Sequence, residues 1–174
     1  MANTYIAIKT VTVPSTPAAV IDFDSIPQTY TDLVILLSAR SNRNGDNDFP
    51  VITFNGSSSG FDASYFYATA PSDVQAFQSA TQAYGYITTS LNPSSTFSNT
   101  TWYIPRYTDT SYPKSFLCES VVPNSTITSN KFVLMTHGGK TSSTAAISSI
   151  RLQSLGGHSF VEHTTATLYG IKNS

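Results

Sequence analysis

Ser58 stands at the centre of "GSSSG" (Gly56–Gly60), which matches the G-x-S-x-G pattern of hydrolases. That motif presents its serine on a sharp turn between a strand and a helix. Here "VITFN" reads as the strand, but "FDASYFYAT" follows and reads as turn and strand. In a chain so rich in Ser and Gly the match reads as a hairpin loop. Asp22 and Asp24 in "IDFDS" are two apart, so a strand puts both carboxylates on one face. Paired carboxylates can do acid–base work on a polysaccharide or hold a cation. They equally describe a solvated strand face beside a turn, and no further residues of a hydrolase site accompany them.

The stretch "NRNGDND" (Asn42–Asp48) gathers oxygen ligands around Gly45. It lacks the EF-hand order, and Arg43 opposes a cation. It reads as an exposed loop, the kind of segment on which β-sandwiches place binding function. His137, His158 and His163 are the only histidines. The last two are five apart, so on one strand they point to opposite faces and form no metal-binding pair. Cys118 is the only cysteine, which excludes an internal disulfide and a cysteine zinc site; it reads as a buried thiol. Asn55, Asn99 and Asn124 each begin N-x-[ST], as chance provides in this composition. No catalytic, metal or cofactor residue is assigned.

Aromatic groups carry more. "YFY" (Tyr65–Tyr67), "YGY" (Tyr84–Tyr86) and "WYIPRY" (Trp102–Tyr107) supply rings of the kind that stack on sugars and anchor protein interfaces. Strand alternation sends part of each group into the core. The candidate interaction residues are Asn42, Arg43, Asn44, Asp46 and Asp48 in the loop, with Tyr65, Tyr67, Trp102 and Tyr107.

The elements that must position them are strands. Charged residues are 11% of 174, well below ordinary soluble domains, while Ser and Thr number 50. Abundant aromatic and β-branched residues argue against disorder. Eleven strand-like segments recur with turn residues between them, which is the pattern of an all-β sandwich or barrel in a single domain spanning 1–174. One short helix is expected in "APSDVQAFQ" (70–78), capped by Ser72, with Val74 and Phe77 three apart on one face. The nine Lys and Arg form no run, so nucleic acid is disfavoured. No apolar run approaches the ~20 residues of a membrane span, and "MANTYIAIKT" has no secretory pattern.

The longest apolar run, "LVILL" (Leu33–Leu37), breaks alternation. One face is expected against an opposing sheet and the other against a long loop or a second copy of the chain. Low surface charge favours the copy, because charges are depleted in interface cores.

The segments "MANTY", "IDFDSIPQTYTDLVILLSARS", "ITFNGSSSG", "FSNTTWYIPRY" and "TATLYGIK" together resemble small single-domain β-sandwich proteins encoded among the structural genes of tailed bacteriophages. The pairing of "SIPQTYTDLVI" with a terminal "TLYGI" is the most telling part. The resemblance implies an antiparallel jelly-roll virion component that is non-enzymatic and homo-oligomeric, with a trimer favoured. It divides between capsid decoration and tail-fibre or receptor-binding roles. The chain begins and ends almost on its first and last strands and shows no coiled-coil stem, which favours a decoration or cement protein on the virion surface. Its expected partners are then itself and the major capsid protein, with host glycans as the alternative.

Overall fold

The protein is all-β. The structure, a computed structural model, describes residues 4–70, 73–79, 81–123 and 132–172, and no helix occurs among them. The strands are β1 (Thr4–Thr12), β2 (Val20–Phe23), β3 (Asp32–Ala39), β4 (Pro50–Phe54), β5 (Phe61–Ala70), β6 (Asp73–Ser79), β7 (Ala83–Tyr84), β8 (Ser98–Ile104), β9 (Ser115–Pro123), β10 (Phe132–Thr141), β11 (Ile150–Ser154) and β12 (Thr165–Lys172).

They form an eight-stranded sheet, ordered β1-β12-β3-β8-β9-β10-β5-β6, and a four-stranded sheet, ordered β2-β11-β4-β7. Every strand pair is antiparallel. The order is that of a chain doubled back on itself and wrapped. Going inward, β2 pairs β11, β3 pairs β8, β4 pairs β7, and β5 pairs β6, with successive pairs alternating between the sheets. That is a jelly roll in which the meander β8-β9-β10 occupies the place of one strand, and β12 and β1 widen the large sheet beyond β3.

The expected helix at 70–78 is instead the strand β6, paired with β5 from Ala68↔Val74 to Ala63↔Ser79. Val74 and Phe77 fit a helical face and a strand equally well over so short a stretch. Pairing with β5 between Ala63 and Ala70 satisfies the side of the β6 backbone that faces it, whereas one or two isolated helical turns are costly to nucleate. The Ser72 cap lies outside the described residues. Several strands are shorter than their apolar segments. Ala145–Leu155 contributes only β11, and the strand expected from Phe160 begins at Thr165.

"LVILL" is resolved by its neighbours. Leu33, Ile35 and Leu37 are buried on the inner face, with Ile21, Phe23, Ile52 and Leu152 of the small sheet in the same core. Burying each such side chain stabilises by roughly 1.5–3 kcal/mol. On the outer face Val34 is 4% exposed. It stands opposite Tyr103 of β8 and Tyr169 of β12, two cross-strand neighbours large enough to cover it. Neither a long loop nor a second copy is needed there; Leu36, at 44% exposure, is the residue left open.

The glycine of "TLYGI" has a steric reason. A Cβ at Gly170 would lie 2.3 Å from Cγ of Tyr30, whose ring packs over the β12 backbone. Gly170→Ala should therefore destabilise the fold by about 1–3 kcal/mol in urea unfolding. Adding Tyr30→Ala should recover part of that loss, an effect that an origin in strand propensity would not produce.

Candidate functional site

The loop 42–48 and the tyrosines of β5 are brought together by residues between them. Strand alternation puts Phe61, Ala63, Tyr65 and Tyr67 on the inner face of β5. The four-stranded sheet ends at β7, which is two residues long, so it does not reach over the far end of the large sheet. A second apolar cluster closes that end, made of Tyr86, Val122, Val133 and Met135 with Phe49, Tyr65, Tyr67 and Tyr84 around it.

Its rings form a continuous strip. The Arg43 guanidinium lies 5.5 Å from the Phe49 ring centroid, a cation–π distance. Phe49 meets Tyr86 at 4.9 Å and Tyr84 at 5.7 Å. Tyr86 meets Tyr67 at 6.0 Å, and Tyr84 meets Tyr65 at 5.3 Å. Phe77 of β6 lies near-parallel to both Tyr65 and Tyr67 and ends the strip at the sheet edge. Gly85 makes this possible. Its Cβ would lie 2.8 Å from Ser120 Oγ and 2.9 Å from Thr100 Cγ2. The backbone between Tyr84 and Tyr86 is therefore pressed onto the large sheet, held by Tyr86 N–H donating to Ser120 Oγ and Thr100 Oγ1 donating to Tyr86 O. Burial, with Tyr65 and Tyr67 nearby, pushes the Tyr86 phenol up from its ordinary value, so it stays neutral.

The candidate residues separate on this geometry. Asn42, Asn44 and Asp46 are exposed, and Arg43, Tyr65 and Tyr67 are half-buried. Asp48 is not an interaction residue: it is fully buried, and its Oδ1 accepts from Phe49 N–H and Ser154 Oγ. Trp102 and Tyr107 are fully buried as well. Alternation along β8 turns Trp102 inward, beside Phe116, and the Tyr107 hydroxyl donates to the Pro27 carbonyl. Both are core residues. Phe49 and Phe77 complete the strip and carry no local signal in the sequence; only register connects them to it.

The hydrolase-like patterns find no chemistry. "GSSSG" joins β4 of the small sheet to β5 of the large one, so it is a crossing between sheets rather than a hairpin, and no helix follows. Asp22 is held in a two-point pair by Arg151, at 2.7 and 3.0 Å. His158 and His163 lie in the segment before β12 rather than on one strand. Among the described residues, no three His, Cys, Asp or Glu side chains gather. The Cys118 thiol is buried and pushed up from its ordinary value, hence inert.

His137 lies under the strip, fully buried. Its Nδ1 is 2.8 Å from the Tyr84 carbonyl, to which Nδ1–H donates, and its ring touches Tyr65, Tyr84 and Phe116. Burial lowers its pKa below 6.5, and the Tyr84 bond offsets part of that. The unfolded chain takes up a proton near the ordinary value while the folded one does not. Stability should therefore fall as pH drops below about 6.5, by at most ~1.4 kcal/mol per pH unit from this group. Urea unfolding between about pH 7.5 and 5 should show that slope, and His137→Gln should flatten it. An unchanged slope in the variant would assign the acid sensitivity elsewhere. Comparison of the chain with family models, with curated proteins and with solved structures gives no match in any of the three.

Proposed function

We propose that the protein is a non-enzymatic structural component of a tailed-phage virion, a decoration or cement protein that docks on the outer capsid surface as a homo-oligomer. The observation that carries this reading is the outer face of the large sheet. Val121, Leu134, Ala68 and Val74 lie in one row across β9, β10, β5 and β6. Phe66 and Leu117 stand in the next rows, at 50% and 40% exposure. Glu119 is the only charged side chain facing out among these rows. A broad apolar face of this kind marks a contact surface, and one repeated over many copies on a shell multiplies a weak contact into firm attachment. The placement on a virion comes from the sequence resemblance, and the sheet supplies the means of docking.

Copy number tests it. Mass spectrometry of purified particles should find hundreds of copies per virion, measured against the major capsid protein; absence from the particle would sink the proposal. Leu134→Lys is an exposed substitution that leaves the fold intact and should lower occupancy about tenfold or more.

The aromatic strip favours a second reading, a tail-fibre or receptor-binding module for host glycans. Half-buried tyrosines with a guanidinium at one end suit the apolar face and hydroxyls of a sugar. Under this reading the particle carries at most a few dozen copies, and a glycan array should return hits that Tyr67→Ala abolishes.

A further inference from the structure

We propose that the "GSSSG" crossing forms one wall of a binding pocket for a single uncharged pyranose ring. The pocket shares no residue with the aromatic strip, and the inference holds whether the chain decorates a capsid or serves a fibre.

The pocket is a cleft of about 190 Å³ between the 55–60 crossing, which joins β4 to β5, and the segment 141–147 that leaves β10. A cavity of roughly 150 Å³ holds a six-membered carbon ring, so the space suits one ring with its substituents. Its lining has two characters. Phe54, Phe61 and Ile147 are buried and supply an apolar floor, with the two rings 5.7 Å apart. Ser57, Ser59, Ser142 and Ser143 are exposed and supply hydroxyls at the rim. A pyranose is the complement of such a lining, with an apolar C–H face and hydroxyls around its edge.

Both walls are fixed in advance. Asn55 is held in the left-handed region, at φ 52°. Its side-chain N–H donates to the Ala146 carbonyl, and its Oδ1 accepts from the N–H groups of Ser148 and Ser149. That staples the 146–149 segment to the crossing. Gly60, at φ 79°, accepts from Ser142 N–H, and a Cβ there would lie 2.4 Å from Ser142 Oγ. Lys114 closes the pocket from behind at 3% exposure. A left-handed Asn, a glycine-only approach and a buried cation thus surround one small cleft. Local strain gathers where a binding site is built, and a preformed wall spares a ligand the cost of ordering it.

Charge selects the ligand. Among the described residues that line the cleft, Lys114 is the only ionisable one. Its ammonium is spent on the carbonyls of Asp109, Tyr112 and Thr144, one for each of its three donors. It has no lone pair to take a proton from a serine, so the hydroxyls bind rather than attack. It also has no donor left for an anion. A charged ligand would shed its water without gaining a partner, which leaves a neutral ring.

Amide chemical shifts in ¹H–¹⁵N spectra test this, with glucose, galactose and N-acetylglucosamine as probes. At least one of them should shift the amides of 55–60 and 141–147 with a Kd of about 1 mM, as befits a single ring. Glucuronate, the charged control, and cyclohexanol, the apolar one, should bind severalfold more weakly. Ala145→Trp and Ser59→Trp each place a large ring at an exposed position on one wall and should abolish the shifts in a chain whose spectrum is otherwise unchanged. Tyr67→Ala, in the aromatic strip, should leave them intact. No shift with any of the three sugars up to ~100 mM overturns the proposal. So do shifts confined to Phe49, Tyr84 and Tyr86, tighter binding of glucuronate or cyclohexanol than of every neutral sugar, or shifts that survive both tryptophan variants.

Discussion

Eight strands face four. A sheet of alternating side chains must cover the face that holds its apolar residues, and the small sheet is too narrow to cover the large one. Over β12, β3, β8 and β9 the cover is regular, with Leu33, Ile35, Trp102 and Leu168 meeting Ile21, Ile52 and Leu152. Beyond β7 no strand remains, and the inner face of β10 and β5 is closed by rings from Phe49, Tyr84 and Tyr86. The aromatic strip, the close approach at Gly85 and the exposed hairpin β5–β6 all follow from that mismatch. Aromatic side chains suit it because each buries a large area from a single backbone position. A two-residue strand with its flanks can thus do the work of a longer one.

The scarcity of charge is the second organising fact. Several of the nine basic and ten acidic residues serve to satisfy loop backbone rather than to solvate the surface. Arg40 donates to the carbonyls of Asn92 and Pro93. Lys114, 3% exposed, donates to the carbonyls of Asp109, Tyr112 and Thr144 and ties two loops together. Asp32 accepts from Arg106 N–H and the Tyr103 hydroxyl, and burial together with this bond pushes the Tyr103 phenol up to about 12. Buried carbonyls must be paired, and a long cation answers two or three of them from one position. On the outer face of β9, β10, β5 and β6 the rows from Val121 to Leu117 keep only Glu119, with Asp62 and Lys140 paired at one end, and an apolar face results between them.

Strand register decides which aromatic residues can act. Tyr65 and Tyr67 share the inner face of β5, and Phe66 between them faces outward. Trp102 faces inward on β8, and Tyr103, next to it, faces outward beside Val34. A shift of one residue in either strand would exchange the core for the surface.

Composition and turn spacing were enough to specify an all-β sandwich, because Thr, Tyr, Val and Ile favour pleated strands and the breaks between them are chemically explicit. They also placed Cys118 in the core, an inference that does not need register. The strip was half legible: the loop at 42–48 and Tyr65 and Tyr67 could be named, but not Phe49 and Phe77, which reach them only through contacts distant in sequence. The helix expected at 70–78 failed for the same reason. Val74 and Phe77, three apart, suit either structure locally, and the choice belonged to β5, whose open edge could pair with the whole segment. Asp48, Trp102 and Tyr107 have the residue types of an interaction site and are buried, because the side of a strand or loop that meets the core is set by what packs against it. Sequence determined which residues favour strands and turns. The pairing of strands and the unequal width of the two sheets decided which of those residues the protein shows to its surroundings.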